Sequence, residues 1–399
     1  LVGSEMGIRG REGAGGIRGL EHHTVSVGSA FDDFLESASN ASHSVYATRA
    51  LRTTHGAVRA DTGTPGPMRA PGEASGSAAL EVAVDAAAFA MGMDPLAFRL
   101  KNYAETDPAS GLPFSSKALR ECYTRAAEAF GWAGRPLQPR QMREGRLLKG
   151  WGMGTAQFPC PMFQAAAHAT LHADGSAVVE TSAADMGQGA WTALAQIAAD
   201  GLGIDIARLE FRSGQSDLPD AGVAGGSGHT ATAGTALFNA GADVVRQLAD
   251  LAVQDPASPL FGAGNAGVTA RDGRLWRNDD DGRSEAYEDI LARAGLDLLR
   301  GTGSGKRDAA AGEARAMFSH GGGFAEVLVD PDLGQVRVSR LIGAFAAGRI
   351  INPRLARSQL LGGMIWGIGF ALHEEAIHDS RTGRFTNADL AGYLSLIHI

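Results

Sequence analysis

Residues 185–192 read Asp185-Met186-Gly187-Gln188-Gly189-Ala190-Trp191-Thr192, and Ala193-Leu194-Ala195-Gln196 follows directly. Two glycines flank one glutamine where strand pattern gives way to helix pattern. Glycine has no Cβ and takes backbone conformations closed to other residues, so a flat ligand can lie against the chain there. Gln188 offers an acceptor and donors from a single side chain. The first helical turn adds N–H groups suited to carbonyl or anionic oxygens. A glycine-rich turn with an exposed glutamine explains this motif equally well when it is taken alone.

The surrounding pattern fixes the fold class. Residues 165–173 and 177–181 alternate around Asp174-Gly175, the signature of a hairpin. A helix is predicted over 191–202 and a strand over 209–213. A second glycine-rich loop, Gly225-Gly226-Ser227-Gly228-His229-Thr230, leads into a long helix over 234–253. Residues 268–276 turn at Asp272-Gly273, and 324–329 pairs with 336–342 around Asp330-Pro331-Asp332. Asn352-Pro353 opens a helix over 355–374.

Toward the N-terminus, residues 1–60 read as polar and irregular, with one strand over 44–48. The turn-rich stretch 63–76 precedes an alanine-rich helix over 77–91. Asp94-Pro95 caps and starts a second helix reaching Tyr103. Ser115-Ser116 caps a third that ends near Phe130. Residues 104–114 have the Pro, Gly and Ser content of a linker. Strands and helices intermixed in this way predict an α+β fold with mixed sheets and packed helices.

Composition narrows the function. Glycine numbers 55 in 399 residues, about twice its usual share of roughly 7%, and is spread through apolar segments without a repeat. Collagen and flexible-linker readings therefore fail. The net charge of −8 comes with no basic patch interleaved with aromatics, which argues against nucleic acid. Two cysteines, Cys122 and Cys160, are too few for an iron–sulfur cluster or a cysteine-rich zinc site. No signal peptide opens the chain, and the apolar run 360–372 is shorter than the ~20 residues a membrane span needs.

The remaining motifs are individually weak. The loop at 225–230 can cradle a phosphate with its backbone N–H groups, but lacks the spacing of a dinucleotide fingerprint. Gly301 to Lys306 imitates a Walker loop, yet Arg300 replaces its first glycine and Arg307 the hydroxyl residue after the lysine. Met68-Arg69-Ala70-Pro71-Gly72-Glu73 braces an arginine on a Pro/Gly turn, which lowers the entropy it loses on gripping an oxyanion. A surface salt bridge explains that arginine as well. His168 and His172 have helical metal-ligand spacing but lie in a stretch that reads as strand. No G-x-S-x-G elbow supports a hydrolase.

Together these segments resemble the molybdopterin-binding large subunit of the xanthine dehydrogenase/aldehyde oxidoreductase family. The residues that carry the resemblance are 67–73, Met186-Gly187-Gln188-Gly189, Gly225-Gly226-Ser227, Phe324-Ala325-Glu326-Val327, and 348–353 through Ser358-Gln359 to Gly362-Gly363. They match in order and spacing from about Leu20 to Leu394, and the phrasing is most similar to bacterial periplasmic-type aldehyde oxidoreductases.

The resemblance implies the molybdenum-hydroxylase large-subunit fold, truncated at both ends. Residues 1–104 would close a first molybdopterin-binding domain, 105–116 a linker, and 117–399 a second domain incomplete at its C-terminus. It implies molybdopterin cytosine dinucleotide with molybdenum as cofactor. Arg69 would stand beside cofactor and substrate, Met186, Gly187, Gln188 and Gly189 against the pterin, Gly226, Ser227 and His229 around the phosphate-bearing end, and Gln359 against the cofactor from the late helix. No residue of this chain would ligate the metal directly.

The implied reaction is hydroxylation, with oxygen from water and hydride passed to a sulfido ligand. Iron–sulfur and FAD subunits would carry the electrons onward. The family's base glutamate, in a Gly-x-Gly-Glu segment, is expected beyond residue 399, so this piece is expected to be inactive by itself. Residues 395–399 look foreign to the family. Residues 21–48 hold no arginine and Ala70-Pro71 replaces an aromatic segment, which favours a small aldehyde over a purine. The alternatives are a silent cofactor-binding or assembly module and a purine or N-heterocycle hydroxylase. The compartment is left open between cytoplasm and periplasm.

Overall fold

Polar residues disguise the first sheet. The computed structural model describes residues 2–9, 15–307 and 309–389. Strand β1 (Val2–Arg9) pairs antiparallel with β2 (Gly19–Ser29). After the four-residue helix α1 (Ala41–Ser44), β3 (Ala50–Ala60) pairs in parallel with β2. The described residues of this N-terminal stretch therefore hold a three-stranded sheet and not the irregular segment the sequence suggests; no strand covers 44–48. The period-two burial of β2 is carried by His22, Thr24 and Ser26 at inward positions, so alternation of hydrophobicity does not reveal it.

Helix α2 (Glu73–Ala90) buries Leu80, Val84 and Ala88 on one face, against Leu20, Tyr46 and Phe98. It begins four residues before the expected start. Gly72, at φ 82, turns the chain into it, and a Cβ on Gly76 would overlap the Ala38 carbonyl. Helix α3 (Pro95–Lys101) is capped as read from sequence, with Asp94 accepting from Leu96 N (2.9 Å) and Ala97 N (3.1 Å). Helix α4 (Leu119–Phe130) starts later than Ser115-Ser116 suggests and has no side-chain cap.

Strands β4 (Met142–Glu144) and β5 (Leu147–Pro159) follow, then β6 (Ala165–His172) and β7 (Ala177–Glu180) in the expected hairpin. Helix α5 (Ala190–Leu202), β8 (Leu209–Arg212) and α6 (His229–Gln254) come next. The small strands β9 (Val268–Arg271), β10 (Arg274–Arg277) and β11 (Asp280–Ala286) form one sheet. Helix α7 (Tyr287–Ala294), β12 (Leu298–Gly305), α8 (Ala309–Ala314), β13 (Phe318–Val329), β14 (Val336–Ala346) and α9 (Pro353–Leu372) complete the main elements.

The chain divides into two compact units. One takes the described residues up to Pro159, with Gly312–Arg349 and those from Leu360 onward; the other is Cys160–Ala311 with Ile350–Gln359. In the first unit, the sheet β14-β13-β5-β4 is antiparallel throughout, and α4 packs Leu119, Tyr123 and Phe130 against Met153 and Phe324. In the second, α5 and α6 cover the sheet β12-β6-β7-β8 with a core of Ala167, Leu171, Val179, Leu194, Leu237 and Val244. The fold is α+β, with both parallel and antiparallel pairs. Among the described residues no single helix is long and apolar enough to cross a membrane.

Two buried histidines make the first unit acid-sensitive. Burial, with the nearby His55 and His43, pushes His22 from 6.5 down to about 4. Burial, with the Lys117 charge, does the same to His320. Each ring is neutral when folded, so the unfolded chain takes up more protons between pH 6.5 and about 4. Stability then falls as pH drops through that window. Urea midpoints measured at pH 7, 5 and 4 should decline less steeply for a His22→Gln/His320→Gln chain. Parallel declines would dismiss the assignment.

Candidate functional site

The second unit gathers the Met-Gly-Gln-Gly loop, the second glycine-rich loop and the head of α9. Helices α5 and α6 run in the same direction, because Leu194 and Ile197 approach Gly234 while Gly201 and Leu202 approach Phe238 and Gly241. Their N-termini therefore lie at the same end of the pair, each preceded by a glycine-rich loop. The Asp185 charge reaches His229, which places the two loops within electrostatic range of each other.

Those N-termini differ in one respect. At α5, the Asp185 carboxylate accepts from Gly187 N (2.8 Å), Gly189 N (3.2 Å) and Trp191 N (3.3 Å). Partial desolvation pushes that carboxyl up, but the backbone N–H groups outweigh it and hold its pKa below the usual range. The donors expected to face a ligand at α5 are thus already taken by an internal anion. At α6 no side chain caps the helix, and its first N–H groups have no intrahelical partner. The open helix end is that of α6.

Gln188 is turned onto its own loop. Its Oε1 accepts from Met186 N (2.7 Å) and its Nε2 donates to Ala184 O (3.4 Å). Met186 stands exposed beside it. Gly187 (φ 102) and Gly189 (φ 79) occupy the backbone region that favours glycine, and a Cβ on Gly189 would lie 2.6 Å from the Leu355 side chain. The start of α9 is thereby seated on this loop. Asn352 Oδ1 accepts from Leu355 N (3.0 Å), and its Nδ2 donates to Gln196 Oε1 (3.0 Å) on α5. Gln359 lies one turn beyond Leu355 along the same face of α9.

The loop before α6 is shaped by two consecutive left-handed residues, Gly226 (φ 59) and Ser227 (φ 57), followed by Gly228 at φ −92. A backbone that changes hand in this way aims N–H groups into one concavity. Pro161 and Phe163 form its floor, since a Cβ on Gly228 would sit 2.7 Å from the Pro161 carbonyl and 3.0 Å from the Phe163 ring. His229, the first residue of α6, is buried, and neither ring nitrogen completes a hydrogen bond. Burial lowers its pKa; an approach to the Val223 backbone too poorly aligned to complete a hydrogen bond, and the Asp185 charge, oppose the shift.

Arg69 belongs to the first unit. It lies on the later part of α9, with its Cζ 5.7 Å from the centre of the Trp366 ring and an Nη1 only 3.2 Å from where a Gly362 Cβ would be. The turn behind it is pinned: Gly72 N donates to Glu36 Oε1 (2.8 Å), and Ala70 adopts φ 59. Three contributors went unread in the sequence: the Asp185 cap, the Asn352–Gln196 clasp and the Pro161/Phe163 floor. Only the first had a usable signal, an Asp just ahead of a helix whose preceding turn is glycine-rich. Among the described residues no group of three or more His, Cys, Asp or Glu side chains is placed to hold a metal ion.

An open helix end, a change-of-hand loop and an orphaned buried histidine fit an anionic, phosphate-bearing cofactor. Two family models, each described as a molybdopterin cofactor-binding domain, match residues 125–397 and 9–103. The chain belongs to the molybdopterin cofactor-binding family.

Within it, the chain is 34% identical over 390 residues to the aldehyde oxidoreductase molybdenum-binding subunit PaoC of Escherichia coli K12, covering 98% of this chain and 51% of that one. It is 28% identical over 342 residues to the putative xanthine dehydrogenase molybdenum-binding subunit XdhA of the same strain, covering 82% and 44%. Among solved structures, quinoline 2-oxidoreductase from Pseudomonas putida 86 superposes with a TM-score of 0.86 at 22% identity, covering 99% of this chain and 53% of that one. The aldehyde oxidoreductase from Desulfovibrio gigas gives 0.75 at 21%, covering 98% and 41%. The chain spans about half the length of the curated relatives it matches.

Proposed function

We propose that this chain supplies the cofactor-anchoring part of a molybdenum hydroxylase that oxidises an aldehyde. The observation that carries the reading is the uncapped N-terminus of α6 beside the Met186–Gly189 loop. Gly226, Ser227 and His229 would hold the phosphate-bearing end there, where N–H groups and the helix dipole favour negative charge. Gln188 would exchange its two local hydrogen bonds for contacts to the pterin edge, with Met186, Gly187 and Gly189 lying against it. Gln359 would approach from α9. Arg69, braced on its turn, would meet the cofactor or substrate as a fixed cation. When bound, the molybdenum centre supplies the two-electron oxidation; the chain's residues bind, orient and exclude water.

Molybdopterin cytosine dinucleotide is the form we propose, because two phosphates match an extended N–H cradle. We also propose separate iron–sulfur and FAD subunits, supported by the description of the relatives as subunits. The aldehyde preference rests on the higher identity to the aldehyde oxidoreductase subunit and on Ala70-Pro71 following Arg69. A domain division at 1–104 and 117–399 is supported by the ranges of the two family matches.

The test is to co-express the chain, within its full reading frame, with neighbouring iron–sulfur and flavin subunits and to assay bound molybdenum and pterin. Stoichiometric pterin is expected, falling about ten-fold in Gln188→Ala, as loss of one or two polar contacts to a buried ligand predicts. A folded, fully assembled preparation with no pterin would refute the reading.

A further inference from the structure

Arg69 stands on a turn whose backbone is fixed, but its own side chain is long and flexible. Glu36 pins the turn: its Oε1 accepts from Gly72 N and from Ser75 Oγ, each at 2.8 Å. Ala70 takes a left-handed backbone, φ 59, and its carbonyl accepts from Ala74 N at 2.9 Å. These bonds set where the Arg69 Cα lies. They do not set the guanidinium, and a ligand that had to order it would lose affinity to side-chain entropy.

Helix α9 meets the guanidinium instead. A Cβ on Gly362 would stand 3.2 Å from Arg69 Nη1, and one on Gly363 would stand 3.7 Å from Nη2, so these two glycines leave it room. One turn further on, the centre of the Trp366 ring is 5.7 Å from Cζ, within cation–π range. Residues four apart share a face of a helix, so Gly362 and Trp366 make one seat. Every residue of it belongs to the first unit.

Core packing does not account for this indole. Trp366 is 40% exposed, whereas tryptophan is highly buried on average. From Leu360 to Leu372, α9 has no charged side chain, and the Trp366 indole is its one side-chain N–H or O–H donor. A carboxylate at the same place would grip Arg69 more firmly but would also neutralise it. An aromatic face holds a cation without adding a negative charge.

We infer that Trp366 is a positioning residue for Arg69, holding its guanidinium over Gly362 and Gly363 so that an incoming oxygen meets a cation already in place. The proposed function enters only in saying that this oxygen belongs to cofactor or substrate; the holding itself does not depend on it.

Two measurements keep these apart. The first uses pterin-free protein, expressed within its full reading frame, and follows modification of Arg69 by phenylglyoxal through peptide mass spectrometry. The reagent bridges two guanidinium nitrogens, so a seated side chain reacts slowly. Trp366→Leu should raise the rate about three-fold, the size expected for an exposed cation–π contact. Trp366→Phe, which keeps an aromatic face, should stay near wild type, and Arg59 on β3 should react alike in all three. The second is a double-mutant cycle in the assembled enzyme, read as bound pterin and as kcat/KM. Trp366→Leu should lower whichever of the two Arg69→Met lowers, by about three-fold, and should add nothing in the Arg69→Met background. A Trp366→Leu loss of full size in both backgrounds would reduce the indole to packing and overturn the assignment. So would a phenylglyoxal rate that ignores Trp366→Leu, or a Trp366→Phe rate no slower than that of Trp366→Leu. If the rate responds as expected but Arg69→Met changes neither pterin nor kcat/KM, the holding stands and the proposed role of Arg69 falls.

Discussion

Replacing Arg99 with methionine should destabilise the first unit by about 3–5 kcal/mol, the cost of stranding a buried counter-ion. Its guanidinium is wholly buried and joins three elements. Nε and Nη2 donate to Glu81 Oε2 at 2.9 and 2.8 Å, Nη1 donates to Asp85 Oδ1 at 2.6 Å, and Nη2 reaches Met153 O at 3.3 Å. Glu81 in turn accepts from Tyr46 Oη (2.6 Å) and Thr155 N (2.7 Å), tying α2, α3 and β5 together. Burial works against the charge, yet Glu81 and its neighbours outweigh that and hold the pKa well above its ordinary value. Removing the cation leaves the Glu81 carboxyl without its counter-ion in a nearly dry site. A second change, Glu81→Gln, removes that charge and should recover part of the loss, so the double variant should be more stable than Arg99→Met alone. Urea unfolding of the set decides it. Equal midpoints for wild type and Arg99→Met would mean that the network contributes nothing.

Sequence revealed most where local chemistry is self-contained. Asp94-Pro95, the Asp174-Gly175 and Asp272-Gly273 turns and Asn352-Pro353 all fall where expected, because each needs only its own few residues. Elements whose pattern depends on distant partners escaped. The inward face of β2 carries His22 and Thr24, and His22 is accommodated by Ser42, 20 residues away at 2.8 Å. The early start of α2 depends on Ala38, whose backbone needs the space at Gly76. In the candidate site, the two glycine-rich loops were legible as ligand loops, but their relative polarity was not. That Asp185 closes one helix end and nothing closes the other follows only from the direction in which its carboxylate turns.

Gly301, Gly303 and Gly305 show the same limit, and they carry the second large effect. They form a period-two stripe on β12 that superficially imitates a phosphate loop. In the structure they are where α6 lies on the sheet: a Cβ on Gly301 would meet Ala240, one on Gly303 would meet Ala236 and Ala240, and one on Gly305 would meet Thr232, in each case backbone atoms well inside van der Waals contact. Backbone cannot rotate aside as a side chain can. Gly303→Val should therefore cost about 3 kcal/mol or more, the upper end for an overpacked interface. Because α6 presents the open N-terminus and His229, lifting it from β12 should also lower pterin retention, although Gly303 touches neither glycine-rich loop. Ser304→Val, on the opposite and exposed face of the same strand, is the control and should leave both properties nearly unchanged. If Gly303→Val lowered the urea midpoint but held a full complement of pterin, the α6 end would not be the anchoring point. If it changed neither, the close packing of α6 on β12 would itself be wrong.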